Sequence, residues 1–263
     1  MPDTNPITRL ARTLHHRAAP GFSRALLAAA RVLRLPVVAA GTRVDDLALE
    51  WTRALWQAEL WRGNHWLGMP ILQWPTDLLV LQELVMEQAP RVILETGTYR
   101  GGSAVFFASM LELAGVDGGR VISIDARHPA SVRREIQEHR LGSRIQLIEG
   151  DAVAPETAAV ARALVGDEPG VMVFLDSDHS YGHVRAELEI YHRFVPVGGY
   201  LCAFDTIMKD LWDLPLGEPR WQTDNPHRAV RDFLAAHPTF EVDARRNRLR
   251  VSFAPEGFLR RIA

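Results

Sequence analysis

Apolar and polar positions divide the chain into three regions. From about residue 76 to 208, short apolar runs alternate with stretches of helical spacing. The runs VILET (92–96), RVISIDA (120–126), RIQLIEGD (144–151), VMVFLDSD (171–178) and GGYLCAFD (198–205) predict five strands. Between them, helices are predicted at 103–114, 130–139, 157–165 and 182–194, the last with Val184, Leu188 and Tyr191 at helical spacing. Strands alternating with helices of this length predict an α/β fold, a mostly parallel sheet with helices on both faces. After residue 208 comes a loop rich in Pro, Gly and Trp, then a helix near 226–236. The runs FEVDA (240–244) and RLRVSFA (248–254) follow, predicting an antiparallel hairpin that brings the sheet to seven strands.

Residues 1–75 read as a helical accessory segment, broken at Pro20-Gly21, Pro36 and Pro70, and residues 76–263 as the main domain. Trp51, Trp56, Trp61 and Trp66 recur every five residues, a spacing that rotates around a helix. Packing in a core accounts for them, and so does lining an opening or an oligomer contact. Between Arg9 and Arg43 there are arginines and no acid, with an Ala/Leu-rich stretch at 25–40. An amphipathic helix packed on its own domain or on a second copy fits this composition. A transit peptide or membrane-surface helix remains the alternative.

Composition narrows the classes. The 263 residues carry a formal net charge of −2, which gives nucleic-acid binding no support. The single cysteine, Cys202, excludes a disulfide framework within one chain and points to a reducing cytoplasm. No run of eighteen apolar residues marks an integral membrane span.

The candidate chemistry gathers at the carboxyl ends of the predicted strands, the rim where open α/β sheets bind ligands. The turn after the first strand reads Glu95-x-Gly97-x-Tyr99-x-Gly101-Gly102-Ser103. Its glycines allow close backbone approach, and the next helix offers free N–H groups to a carboxylate. Glu95 can accept from an ammonium group and Ser103 can donate, a pairing suited to the amino-acid end of a ligand such as S-adenosylmethionine (SAM). The dinucleotide spacing Gly-x-Gly-x-x-Gly is absent, which argues against NAD. Asp125 ends the second strand, where an acid can hold ribose hydroxyls. Asp151, after the third, is placed to reach an adenine amine. In FLDSDHSY (174–181), Asp176 ends the fourth strand, and His179 can take a proton from a hydroxyl. Asp205 ends the fifth. Asp176 and Asp205 together suit a hard cation such as Mg²⁺.

With these motifs in view, the chain resembles the cephalosporin hydroxylase-like / rhamnosyl O-methyltransferase family and, more distantly, the metal-dependent catechol O-methyltransferases. The resemblance runs through WPTDLLVLQEL (74–84), VILETGTYRGGSAVFFASMLE (92–112), residues 174–206, residues 225–243 and PEGFLRRI (255–262). It implies a Rossmann-like class I methyltransferase with an N-terminal helical extension. The implied reaction transfers the methyl of SAM to a hydroxyl of a small molecule, often a sugar or a bacterial secondary metabolite such as an antibiotic precursor. By matching positions it implies SAM contacts at Glu95, Gly97, Tyr99, Gly101 and Ser103, ribose at Asp125, metal at Asp176 and Asp205, and a base at His179. The family pattern has an acid immediately before Asp205, and here that residue is Phe204. The aromatic residues of the 209–224 loop, Trp212 and Trp221, are expected in the acceptor pocket. A homo-oligomer through the N-terminal segment is compatible with the pattern. A nucleotide-dependent oxidoreductase, a hydroxylase and a non-catalytic SAM-fold subunit stand as alternatives.

Overall fold

The computed structural model describes residues 42–263. The Ala/Leu-rich stretch at 25–40, and the packing, targeting and oligomer expectations attached to it, lie outside the described residues. Residues Ala48–Ala263 form one compact unit, which holds the sheet.

The chain enters through helix α1 (Thr42–Gln57) and a two-stranded ribbon, β1 (His65–Trp66) with β2 (Met69–Pro70). Helix α2 (Pro75–Gln88) follows, with Pro75 in its first turn, where the missing N–H has no helical partner in any case. Strands and helices then alternate: β3 (Val92–Thr96), α3 (Gly102–Leu113), β4 (Arg120–Asp125), α4 (Ala130–Glu138), β5 (Ile145–Glu149), α5 (Pro155–Val165), β6 (Val171–Leu175), α6 (Tyr181–Tyr191) and β7 (Tyr200–Ala203). Helix α7 (Pro226–Ala236), β8 (Phe240–Val242) and β9 (Phe258–Arg261) complete the described chain.

Among the described residues, seven strands form one sheet in the order β5-β4-β3-β6-β7-β9-β8, parallel except for β9, which runs antiparallel to both β7 and β8. This is the α/β architecture the alternation predicts. The central strands β3, β6 and β7 are buried on both faces, so period-two alternation there divides apolar from apolar. Ile93, Val121, Met172, Phe174 and Cys202 face one core with α2 and α3. Leu94, Ile122, Val173, Leu175 and Leu201 face the other with α5, α6 and α7.

One expectation needs correction. RLRVSFA (248–254) is not a strand; the hairpin partner of β8 is Phe258–Arg261. The alternation at 248–254 has another cause. Ser252 Oγ donates to Asp77 Oδ1 at 2.6 Å, and Phe253 N donates to Asp77 Oδ2 at 2.7 Å. The segment is thus tied to α2 and drives the Phe253 ring among Trp56, Trp61 and Trp74. The tryptophans also divide. Trp66 packs edge-on to Phe106 and donates to Ser109 Oγ, Trp56 and Trp61 stack with ring centroids 5.2 Å apart, and Trp51 is exposed.

Asp77 is buried, and burial pushes its carboxyl up to about 7 against the hydrogen bonds from Ser252 and Phe253. Asp77→Ala orphans two buried donors at about 1–3 kcal/mol each. It is expected to cost about 3 kcal/mol in urea unfolding. Asp77→Asn, which keeps one acceptor, should cost less; equal stability of Asp77→Ala and the parent would show that the tie is dispensable.

Candidate functional site

The tips of β3, β4, β6 and β7 carry the polar residues. At the tip of β3 the chain must turn where there is no room for a side chain. Gly97 has φ +89°, and a Cβ built on it would lie 2.0 Å from the carbonyl oxygen of Asp176. A Cβ on Gly102 would lie 2.1 Å from the carbonyl of Pro70, so the start of α3 is pressed against the ribbon. Gly101 precedes α3 at φ +81°, and its N–H donates to Thr98 O at 2.7 Å. Tyr99, at φ +46°, donates its backbone N–H to Asp125 Oδ2 at 2.9 Å.

Behind this turn runs a buried chain of hydrogen bonds. Ser123 Oγ donates to Glu95 Oε1 at 2.6 Å, Thr98 Oγ1 lies 2.6 Å from Ser123 Oγ, and His128 Nε2 lies 2.9 Å from Thr98 Oγ1. A hydroxyl has one proton to give. Ser123 gives its proton to Glu95, so Thr98 donates to Ser123 and His128 carries its proton on Nε2. Burial pushes Glu95 up to about 7, offset in part by hydrogen bonds from Ser123 and Ser103. Burial also holds His128 below the usual histidine range.

Across the rim, Asp176, His179 and Asp205 each offer a ligand atom within 4.8 Å of the others. His179 Nε2 is 3.2 Å from Asp205 Oδ2, and Asp176 Oδ2 accepts from Gln73 Nε2 at 2.7 Å. Asp176 is raised well above the carboxylate range by burial, then by the charges of Asp205, Glu95 and Glu187. Asp205 is raised by burial, with His179 opposing. Asp205 sits at φ +54°, a strained backbone for a residue with a side chain and a frequent mark of functional positions. Ser177 Oγ donates to the buried Glu187 at 2.7 Å, with His183 beside both.

These residues open on a cavity of about 440 Å³. Gly97, Tyr99, Ser103, Asp176, His179 and Asp205 line one side. Trp56, Trp61, Trp221, Phe253, Met208 and Leu216 line another. Arg53, from α1, donates to Asp213 and to the carbonyl of Asp210, which ties the loop after β7 to that wall.

Most of the residues singled out from sequence meet here, but not all. Glu95 and Gly101 are buried just beneath the turn. Asp125 lies at the β4 tip, bound to the N–H groups of Tyr99 and Arg127, outside the cavity lining. Asp151 is exposed, caps Val153 N at 3.1 Å and does not line the cavity. Trp221 is in the wall; Trp212 is not. Sequence reasoning passed over Gln73, Thr98, Ser123 and His128. A polar residue amid apolar neighbours, as in ILQWP (71–75), was the available signal for Gln73.

The family model for "Rhamnosyl O-methyltransferase/CmcI" matches residues 58–262. The chain belongs to this family. The rhamnosyl O-methyltransferase of Mycobacterium leprae (strain TN) is 30% identical over 218 residues, 82% of this chain and 90% of that one. The enzyme of the same name from Mycobacterium tuberculosis (strain ATCC 25618 / H37Rv) is 30% identical over 187 residues, 70% of this chain and 72% of that one. The fold is also that of solved CmcI structures. One with Mg and SAM has a TM-score of 0.55 at 21% identity, covering 77% of this chain and 78% of that one. An apo structure has 0.54 at 22%, covering 77% of each. As a member of the rhamnosyl O-methyltransferase/CmcI family, the chain is a SAM-dependent O-methyltransferase. Oxidoreductase and hydroxylase chemistry give way to that reading. No described helix is long and apolar enough to cross a membrane.

Gly97→Ala places a methyl on the Asp176 carbonyl and is expected to lower the melting temperature and abolish methyl transfer. Gly68→Ala, at φ +91° but with no atom within 4 Å, isolates the effect of backbone strain and should be much milder. Equal losses in the two would remove the steric argument.

Proposed function

We propose that the chain methylates a hydroxyl of a sugar-bearing small molecule. In this reading Asp176 and Asp205 hold a divalent cation such as Mg²⁺, and His179 accepts the proton. The observation that carries this is the cluster of Asp176, His179 and Asp205 on the floor of a cavity with an aromatic wall. Two carboxylates are hard oxygen donors that suit Mg²⁺. An aromatic wall that includes Trp56, Trp61 and Trp221 suits a sugar ring. Relatives named for rhamnosyl O-methylation favour the same substrate class.

SAM supplies a methyl group already activated on its sulfonium. A bound cation supplies an electrostatic pull that acidifies an acceptor hydroxyl. The chain's own residues do the rest. Gly97, Tyr99 and Ser103 bound the SAM end of the cavity, with Glu95 beneath as partner for an ammonium group and Asp125 nearby for ribose. Orienting two reactants can contribute about 7–11 kcal/mol of barrier lowering. Asp205 faces Nε2 of His179, which leaves Nδ1 to take the acceptor's proton. The cavity wall from Trp56 to Trp221 excludes water around that transfer.

The same 4.8 Å cluster supports a second reading, in which His179 is a third ligand to the cation. His179→Ala separates the two. As a base, its loss should lower kcat by about 10²–10⁴-fold with Mn²⁺ affinity unchanged. A parallel fall in Mn²⁺ affinity would make it a ligand, and unchanged turnover would remove it from both roles.

Glu95 gives a pH test. Its carboxyl, raised to about 7, is neutral below that pH and ionised above it, and an ammonium group binds the ionised form. Affinity for S-adenosylhomocysteine should therefore rise as pH increases through about 7. Glu95→Gln should flatten that rise in calorimetry; a rise of unchanged size in the variant would clear Glu95 of the role.

A further inference from the structure

We infer that Gln73 is a neutral oxygen donor to the cation site, its side-chain amide turning over to present Oε1 when an ion is held. This rests on the proposed role of Asp176 and Asp205 as cation ligands.

Gln73 is 7% exposed, on the segment between β2 and α2. Its backbone is pinned: the carbonyl accepts from Asn64 Nδ2 at 3.0 Å, and the next residue, Trp74, is buried against Phe253. The side chain is half satisfied. Nε2 donates to Asp176 Oδ2 at 2.7 Å, while Oε1 is buried and has no hydrogen-bond partner among the described residues. A buried carbonyl oxygen without a partner is uncommon and marks an unmet ligand or a bound water.

Half a turn of the amide exchanges the two atoms. The oxygen then occupies the position 2.7 Å from Asp176 Oδ2. Without an ion, that would set a carbonyl against a carboxylate. A hard cation held beside Asp176 would instead draw oxygen donors from both side chains. The nitrogen moves to the orphaned position. Gln73 also lines a void of about 10 Å³ whose walls are mainly apolar, with Glu95, Ser103 and Asp176 as its other polar residues.

Charge and position agree with this. Phe204, beside Asp205, is buried and packs against Phe174 and Phe258, so it brings no oxygen to the rim. Asp176 and Asp205 already balance a divalent ion. An amide adds a ligand without adding a fourth negative charge to a rim that holds Glu95, Asp176 and Asp205.

The test is Mn²⁺ titration of the full chain by calorimetry, with melting temperature as the check on folding. Gln73→Ala should weaken binding by about 10–100-fold. Gln73→Glu, which supplies a charged oxygen at the same reach, should restore or exceed parental affinity. Parental affinity in Gln73→Ala would overturn the inference and point to a water on Oε1. Weakening in both variants would overturn it too, because an N–H donor to Asp176 is then all that Gln73 supplies. Should the parent bind no Mn²⁺, or bind it equally after Asp205→Asn, the cation reading itself fails, an outcome distinct from failure at Gln73 alone.

Discussion

Glu95, Asp176 and Asp205 bring three carboxyl groups to one end of the sheet, where burial opposes the ionisation of each and the charges of Asp205 and Glu95 add to it at Asp176. Much of the surrounding structure answers that constraint. Ser123 and Ser103 donate to Glu95, Gln73 donates to Asp176, and His179 lies against Asp205. Such groups stay buried only when hydrogen bonds or opposite charge compensate them. A cationic partner would offset that opposition and draw these carboxyls toward their ionised forms.

The remaining walls come from segments far apart in sequence. Residues 56–73 lie over the turn after β3, the loop after β7 brings Met208 and Trp221, and Phe253 arrives from beyond β8. Arg53 and Asp77 join these pieces through Asp213 and through Ser252 and Phe253. The sheet thus provides the polar floor, and the connecting segments provide the apolar sides.

The floor was legible because strand ends are. VILET is β3 residue for residue, and Glu95, Asp176 and Asp205 fall on one rim once the strand order is known. The sides were not. In RLRVSFA the alternation imitates a strand, yet its polar members are spent on tertiary ties: Arg248 on Glu83 and Ser252 on Asp77. Asp151 follows a strand as Asp125 does, but its carboxylate turns to cap the local backbone at Val153. Gln73 stands out only as a polar residue among apolar ones; its meaning lies in a partner 103 positions away. Periodicity reports which face of an element is buried and says nothing of which distant group a single polar side chain will meet.

The tie between Asp77 and Phe253 also governs when the cavity can exist. It spans 176 positions, and closing so long a loop is entropically unfavourable until other contacts have drawn its ends together. The parallel strands depend on non-local pairing as well. Until Phe253 docks, Trp56, Trp61 and Trp74 lack the ring they pack around. The strand tips carry the polar floor without Phe253, whereas the aromatic wall needs it, so one phenylalanine held by one buried carboxyl decides whether the cavity has its full wall.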